Sequence, residues 1–235
     1  MSQNLIPISH NYGSNITIYQ GAVIGKNVTI GPYTIVYPNV VIGDNVTISA
    51  QCIIGKIPQT GRNQAKILEC TEKTIIGNGV FIGDQTIIYS NVKIGNDCYL
   101  ADRAFIRENV TIENDVVIGT STVIAFNAQI GAETKIMTGT NIAGNSKIGK
   151  HCFIGLHVCS VNDNNPLDPT HTDRNLMIGS QIGDNVVIGS NTTLLPAVKI
   201  NNNIVVGAAS IVPKDLTQEN SLYMGSHAKF VRSNT

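Results

Sequence analysis

Two carboxylates and two arginines lie close together near the middle of the chain, in the segment ADRAFIREN. Asp102 and Glu108 each stand two places after an aliphatic residue, and Arg103 and Arg107 flank them. A carboxylate can orient an amine and relay its proton, while an arginine pairs with phosphate or carboxylate groups. We therefore take Asp102 and Glu108 as candidate catalytic residues, and Arg103 and Arg107 as candidate substrate-binding residues.

The interval of six that separates the two carboxylates runs through most of the chain. From Ile76 to Ile154 every sixth residue is Ile or Leu, and the residue four places after each is small or β-branched. The same pattern covers 18–54 and 182–212. A helix repeats near 3.6 residues and a strand every two, so a period of six must belong to a larger unit.

One architecture fits a period of six. Each hexad forms a short strand and a turn, three hexads form one triangular coil of about 18 residues, and the coils stack at about 4.8 Å. The sequence therefore predicts an all-β fold, a parallel β-helix of about nine coils. It would span residues 1–212, with external loops at 55–75 and 160–181, followed by a C-terminal tail at 213–235. In this prism Asp102 and Glu108 would point outward from adjacent faces, near a shared corner.

Four asparagines recur at the coil interval and should stack along one edge of the prism. Asparagine tolerates the left-handed backbone of a tight corner, so we interpret these residues as corner residues rather than catalytic ones. They are Asn91, Asn109, Asn127 and Asn145.

The two insertions that interrupt the repeat carry clusters of polar residues. Insertions in a solenoid emerge on its outside, often at a binding face. Further substrate-binding candidates are therefore Arg62 in the first insertion and Asn162, Asp163 and His171 in the second.

The composition excludes several classes of function. The formal net charge is zero and the pI is about 6.9, which argues against binding to nucleic acid or to an anionic membrane. The N-terminus lacks the pattern of a signal peptide, so we expect a cytoplasmic protein. The five cysteines lack zinc-ligand spacing, and His151 and His157 fall at different corners of the prism, so we expect free thiols and no metal.

The hexads and the C-terminal stretch VGAASIVPKDLTQENSLYMGSHAKFVR resemble the hexapeptide-repeat acyltransferase superfamily. The segments GKIPQTGRN, ADRAFIREN and VCSVNDNNP make the chain similar to its bacterial N-acyltransferases of nucleotide-linked amino sugars. This resemblance implies a left-handed β-helix and a homotrimer with active sites between subunits. Acyl-CoA would be the co-substrate, lying along Gly207, Ala208, Lys214, Lys229 and Arg232, although His227 stands where the family motif has proline.

The resemblance also implies the reaction. An acyl group, acetyl in the simplest case, would pass from CoA to the amine of a nucleotide-linked sugar, such as a dTDP-linked 3- or 4-amino-dideoxy sugar, in surface glycan biosynthesis. Asp102 or Glu108 would bind the amine, and no acyl-enzyme would form. Two alternatives stay open: an O-acyltransferase acting on a sugar or serine hydroxyl with His157 or His171 as base, and a β-helical scaffold without enzymatic activity.

Overall fold

The computed structural model describes residues 11–59, 73–167, 173–227 and 229–233, where short strands alternate with tight turns. A 3₁₀ turn spans Arg174–Leu176. In chain order the strands are β1 Asn11–Tyr12, β2 Thr17–Ile18, β3 Val23–Ile24, β4 Thr29–Ile30, β5 Ile35–Val36, β6 Val40–Ile42, β7 Thr47–Ile48, β8 Ile53–Lys56, β9 Thr74–Ile76, β10 Phe81–Ile82, β11 Ile87–Tyr89, β12 Lys93–Ile94, β13 Tyr99–Leu100, β14 Phe105–Ile106, β15 Thr111–Ile112, β16 Val117–Ile118, β17 Val123–Ile124, β18 Gln129–Ile130, β19 Lys135–Ile136, β20 Asn141–Ile142, β21 Lys147–Ile148, β22 Phe153–Ile154, β23 Cys159–Ser160, β24 Gln181–Ile182, β25 Val187–Ile188, β26 Thr193–Leu194, β27 Lys199–Ile200, β28 Ile204–Val206, β29 Ile211–Val212, β30 Ser221–Met224 and β31 Lys229–Ser233.

The strands form three sheets, which are the faces of a triangular prism. Face A contains β1, β4, β7, β10, β13, β16, β19, β22, β25, β28, β30 and β31, face B contains β2, β5, β8, β11, β14, β17, β20, β23, β26 and β29, and face C contains β3, β6, β9, β12, β15, β18, β21, β24 and β27. All the pairings are parallel except that of β30 with β31. Each edge is named below by the two faces that it joins in chain order.

The aliphatic residue of each hexad points into the prism and stacks on its counterpart in the next coil. Ile106 pairs in register with Ile124, and both are fully buried. The small inward position also accepts polar side chains, because a carbonyl of the next coil accepts their hydrogen bond: Thr122 Oγ1 donates to the carbonyl of Met137 at 3.0 Å. The core is therefore a column of branched aliphatic side chains lined by hydroxyl and thiol groups that mostly donate to backbone carbonyls; Oγ of Ser146 and Oγ of Ser180 have no partner among the described residues.

The predicted fold is confirmed: the chain is a left-handed parallel β-helix. It has about ten turns rather than the nine predicted, because both ends extend beyond the regular repeat. At the start, Tyr12 fills an inward position with an aromatic ring. After Val212, the chain bridges from Leu216 to face C and then adds β30 to face A, at spacings that differ from six.

The three faces differ in the residues that they present outward. Faces A and B are largely apolar, although Lys135 and Asn141 point outward on them, whereas face C is the most polar and carries three lysines beside Val23, Val41 and Ile75. The outward residues include Phe81, Tyr99, Val117, Phe153 and Val187 on face A, Ile35, Ile53, Ile87, Phe105 and Val123 on face B, and Lys93, Gln129, Lys147 and Lys199 on face C.

Candidate functional site

The predicted asparagine stack is confirmed, and it occupies the B–C edge, which we call the asparagine edge (residues 89–91, 107–109, 125–127 and 143–145). All four asparagines have φ between 58° and 64°, as a tight corner requires. Each amide donates to the amide oxygen of the next coil, at 2.5, 3.0 and 2.8 Å in order from Asn91 to Asn145. A continuous ladder of side-chain amides therefore runs along this edge.

Both insertions leave the prism at the asparagine edge. The first follows β8 on face B and returns at β9 on face C; the second follows β23 on face B and returns at β24 on face C. Gly55, at φ +82°, is the extra residue of a bulge that places Lys56 opposite Tyr89. The two exits are five coil steps apart, or about 24 Å at the usual strand spacing.

Glu108 lies between the two exits, and its carboxylate is enclosed by guanidinium groups. Arg107 donates from Nε to Oε2 at 2.8 Å and from Nη2 to Oε1 at 3.0 Å, and Nη1 of Arg174, from the second insertion, also donates to Oε1. The Glu108 side chain is 1% exposed, against 25% for Arg107 and 11% for Arg174. An ion pair thus ties the second insertion to the prism.

The electrostatic environment keeps Glu108 ionised. Burial alone would raise its pKa, but the hydrogen bonds from Arg107, from its own backbone and from Arg174, together with the charge of Arg107, outweigh burial and hold the pKa below its ordinary value. Both carboxylate oxygens already accept hydrogen bonds. In this arrangement Glu108 fixes two arginines and is a poor proton acceptor.

Aromatic rings support the cations around this carboxylate. The guanidinium carbon of Arg107 lies 5.1 Å and Nζ of Lys56 lies 5.5 Å from the centre of the Tyr89 ring. The guanidinium carbon of Arg174 lies 4.5 Å from the ring centre of Phe126. These six residues (Lys56, Tyr89, Arg107, Glu108, Phe126 and Arg174) form what we call the cation–aromatic cluster. It contains three cations and one anion.

Glycine at position 144 is needed to accommodate this cluster. A Cβ atom there would lie 2.5 Å from Cζ of Phe126, the ring on which Arg174 packs. The second insertion is also held by the amide ladder: Nδ2 of Asn145 donates to the carbonyls of Arg174 and Met177 at 2.7 and 2.6 Å.

The other predicted catalytic residue, Asp102, lies on a different edge from Glu108. We expected the two carboxylates to share a corner, and this is wrong: residues six apart occupy consecutive corners, so Asp102 and Arg103 lie on the A–B edge. There Asp102 Oδ1 accepts the backbone N–H of Asp84 at 2.9 Å, and exposed Arg103 takes the left-handed corner position with φ +58°. The two carboxylates of one subunit therefore cannot contact the same amine.

The predicted substrate-binding residues of the insertions divide in the same way. Asn162 continues the asparagine edge, and its Nδ2 donates to the carbonyl of Gly144 at 3.2 Å, while Asp163 Oδ1 accepts the N–H of Asn165 at 2.7 Å. Arg62 and His171 lie outside the described residues.

The predicted co-substrate residues all lie near the C-terminal end of the prism, but on different sides of it. Gly207 and Ala208 are on the A–B edge, and Lys214 is on the B–C edge, five coil steps from Glu108. Lys229 and Arg232 belong to β31, at the end of face A.

Tyr89 and Phe126 were missing from the sequence-based candidates, and Lys56 and Arg174 were noted only as members of the polar clusters of the insertions. Arranging the sequence in rows of 18 places Arg107 after Tyr89 and Phe126 after Glu108, so this signal was available. The pairing of Glu108 with Arg174 spans 66 residues and the irregular second insertion, so no period indicates it. The bulge at Gly55 shifts the register of Lys56 by one residue, so the repeat does not predict its position opposite Tyr89.

The histidines and cysteines form no second site among the described residues. His157 is on the A–B edge, and His151 is on the C–A edge, where its Nδ1 lies 3.2 Å from Glu133 Oε2. In the ranges that the structure covers, no group of three or more metal-ligating side chains could hold an ion. No helix in those ranges is long and apolar enough to span a bilayer.

Comparisons with known proteins agree with this architecture. The bacterial transferase hexapeptide (six repeats) model matches residues 21–56 and 73–108, and the hexapeptide repeat of succinyl-transferase matches 181–213. Among solved structures, the UDP-N-acetylglucosamine acyltransferase from Campylobacter jejuni shares the fold, with a TM-score of 0.53 and 18% identity over 95% of this chain and 75% of that one.

Two curated proteins match over short stretches. The putative acetyltransferase YvoF of Bacillus subtilis (strain 168) is 57% identical over 35 residues, which are 15% of this chain and 20% of YvoF. The bifunctional protein GlmU of Methanococcus vannielii is 42% identical over 45 residues, which are 19% of this chain and 11% of GlmU. The chain thus spans a fifth or less of the length of these relatives. The comparisons thus find hexapeptide repeats in three stretches of the chain and the same fold in a solved structure.

Proposed function

We propose that the protein transfers an acyl group, acetyl in the simplest case, from acyl-CoA to the amine of a nucleotide-linked amino-dideoxy sugar. The observation that carries this proposal is that both insertions leave the prism at one edge and bracket the cation–aromatic cluster. Loops that serve only as tolerated surface excursions have no reason to share an edge. We place the substrate on the asparagine edge between them.

The chemistry of the cluster suits the nucleotide part of such a substrate. Lys56, Arg107 and Arg174 outnumber the single carboxylate of Glu108, so the cluster attracts an anion such as a diphosphate. The aromatic rings of Tyr89 and Phe126 lie beside these cations and offer apolar surface to a nucleobase or a sugar ring. A dTDP-linked 3- or 4-amino sugar has both features.

We propose a homotrimer, and the unequal faces support it. Two apolar faces and one polar face are covered most simply when each subunit lays face A on one partner and face B on the other. The A–B edge then points to the threefold axis, and the asparagine edge lies at the outer margin of each interface. The groove between two subunits therefore runs along the cation–aromatic cluster. Val123→Glu, which puts a charge in the middle of face B, should yield a monomer in light scattering.

The same groove gives an elongated co-substrate a path. Lys214 stands on the asparagine edge about 24 Å from Glu108, so the phosphates of CoA near Lys214 would leave the thioester within reach of the cluster. Lys229 and Arg232 stay candidates for the same phosphates, and Gly207 and Ala208 for the pantetheine arm, at the same end of the prism.

In the reaction, the amine nitrogen attacks the thioester carbonyl, a C–N bond forms and the C–S bond breaks. The proton lost by nitrogen ends on the departing thiol, and backbone N–H groups hold the oxyanion of the intermediate. We propose Glu108 as a positioning residue that orients Arg107 and Arg174 toward the phosphates. Asp102 lies on the A–B edge, away from this groove, so we assign it no part in the proton transfer.

A thiol-release assay with acetyl-CoA and a panel of dTDP-, UDP- and GDP-linked amino sugars tests the proposal. We expect turnover with at least one sugar. Lys56→Gln should raise the KM for that sugar roughly tenfold, as for the loss of one hydrogen bond to a charged group. Lys56 is chosen because it does not contact Glu108, so its replacement leaves the ion pairs of Glu108 in place. Lys199→Gln, which removes an exposed lysine from the outward surface of face C, is the matched control and should leave KM unchanged. Absence of turnover across the panel would refute the proposed activity.

A further inference from the structure

We infer that Ser90 and Asn91 form a subsite for the amine of the sugar, whose N–H groups donate hydrogen bonds to their side-chain oxygens; this inference rests on the proposed function. Both residues lie on the asparagine edge in the coil between the exit of the first insertion and Glu108. Three observations carry it: the orientation of the amide ladder, two buried polar atoms without a partner, and the position of the cations.

The orientation of the amide ladder is determined at its upper end. Nδ2 of Asn145 donates to two backbone carbonyls of the second insertion, and a carbonyl can only accept, so Oδ1 must point to Asn127. The same reasoning repeats down the edge, because each Oδ1 accepts from the Nδ2 below it. At the lower end, Asn91 therefore donates upward to Asn109 and presents its Oδ1 as a free acceptor.

Two polar atoms at this lower end are buried and have no hydrogen-bond partner among the described residues: Oδ1 of Asn91 and Oγ of Ser90. A buried acceptor that is left unsatisfied costs about 1–3 kcal/mol, and such groups are rare in native proteins. The ladder increases this cost, since successive amides polarise one another and raise the partial negative charge on the terminal oxygen. Two adjacent atoms of this kind indicate a ligand position.

The chemistry of these atoms selects the part of the substrate that they bind. Asn91 Oδ1 is only an acceptor, so it repels phosphate and favours an N–H or O–H donor. Two cations of the cluster, Arg107 and Arg174, lie further along the edge, where Arg107 reaches the ring of Tyr89, whereas the carbonyl of Lys56, one coil back, accepts the N–H of Ser90 at 2.9 Å. The nucleotide phosphates therefore lie toward Arg107 and Arg174, and the amino sugar lies toward Ser90 and Asn91. An acceptor on one amine N–H leaves the nitrogen lone pair free for attack on the thioester.

Ser90→Ala provides a test that a structural role would not pass. The substitution removes a buried hydroxyl that has no partner, so the melting temperature should stay equal or rise. The kcat/KM for the amino-sugar substrate should fall roughly tenfold, as for the loss of one hydrogen bond. A purely structural serine would lose stability together with activity.

Asn91→Gly tests the amide and has a matched control elsewhere in the prism. Asn27 also occupies a left-handed corner, with φ 53°, and its Nδ2 donates to Asn45 Oδ1 at 3.1 Å on the C–A edge. Asn27→Gly and Asn91→Gly should lower the melting temperature by similar amounts. Only Asn91→Gly should lower kcat/KM. In inhibition assays, we expect the wild type to bind the amino sugar roughly tenfold more tightly than the analogue that carries hydrogen in place of the amine, and Asn91→Gly should abolish this preference.

The outcomes separate the subsite from the activity. If the wild type turns over an amino sugar while Ser90→Ala and Asn91→Gly keep its kcat/KM, the subsite is refuted and the acyltransferase stands. If the wild type turns over no sugar of the panel, the proposed function is refuted and the subsite falls with it. Loss of kcat/KM in both variants, with Asn27→Gly unaffected, supports the subsite.

Discussion

Replacing Glu108 by glutamine should loosen the second insertion from the prism while the prism stays folded. The carboxylate holds Arg174 of the insertion and Arg107 of the prism, and it is nearly inaccessible to solvent. Glutamine keeps one acceptor oxygen but removes the charge, so two guanidinium groups lose their counter-ion. The hydrogen bonds from Asn145 to the carbonyls of Arg174 and Met177 persist.

The magnitude follows from burial and from these remaining contacts. Removing one partner of a fully buried ion pair costs about 3–5 kcal/mol. Solvent reaches part of both arginines and screens the pair, and the amide oxygen of glutamine keeps a weaker contact. We therefore expect a loss of about 2 kcal/mol in docking of the insertion, which raises its open population roughly thirtyfold.

Hydrogen exchange measures this population directly. The amide of Leu176 donates to the carbonyl of Asp173 at 3.1 Å, and that of Met177 to Arg174 at 3.3 Å, so both report on the docked insertion. In Glu108→Gln they should exchange roughly thirtyfold faster than in the wild type, while the amides of β16 and β17 stay unchanged.

Glu133→Gln is the matched control for this experiment. Glu133 pairs with His151, and both side chains are more than half exposed, so the substitution should have almost no effect on either set of amides. If the amides of Leu176 and Met177 exchange at the same rate in Glu108→Gln as in the wild type, the ion pair does not hold the insertion, and the reasoning from burial is wrong.

Three further predictions concern the pH dependence, the core and the thiols. Because the folded pKa of Glu108 is depressed, its stabilisation is complete above the ordinary glutamate pKa of about 4.3 and is lost as the pH falls through the folded pKa. Protection of the second insertion against hydrogen exchange should therefore be constant from neutral pH down to about 4.3 and decrease below that pH. Glu108→Gln should not show this decrease. Ile118→Ala leaves a cavity in a fully buried stack, and denaturant titration should show a loss of about 3 kcal/mol if that stack is as tightly packed as its burial indicates. Burial raises the pKa of Cys52 to about 11, so iodoacetamide at neutral pH should spare Cys52, and its alkylation in the native protein would contradict this picture. Exposed Cys159, on face B, should react quickly in Val123→Glu and slowly in the wild type, where the proposed trimer would cover face B.

The regular part of the fold could be predicted from sequence because one inward column repeats with almost no exception. The pairing of Ile106 with Ile124 and the asparagine stack both follow from an interval of 18. The extra turns could not be predicted, because Tyr12 and Tyr223 replace the aliphatic residue and the tail departs from the spacing of six.

The candidate site was predicted only in part, and the reason is the range of its contacts. Glu108 and Arg107 were identified from local sequence, and the structure places both at the asparagine edge. Their partner Arg174 reaches them through packing of an irregular insertion, which no repeat encodes. Asp102 was assigned to the same corner because its position within the hexad is the same, but a step of six residues rotates the chain to the next edge.

The common exit edge of the two insertions has a consequence for the length of the ligand that we propose they bind. Since whole coils separate the exits, the gap changes only in graduations of one coil, about 4.8 Å each. The number of coils in the prism therefore fixes the distance between the two insertions. Excising one complete coil between the exits would keep the remaining strands in register and bring the two insertions closer by one coil spacing, so the length of the ligand would be selected in whole coils.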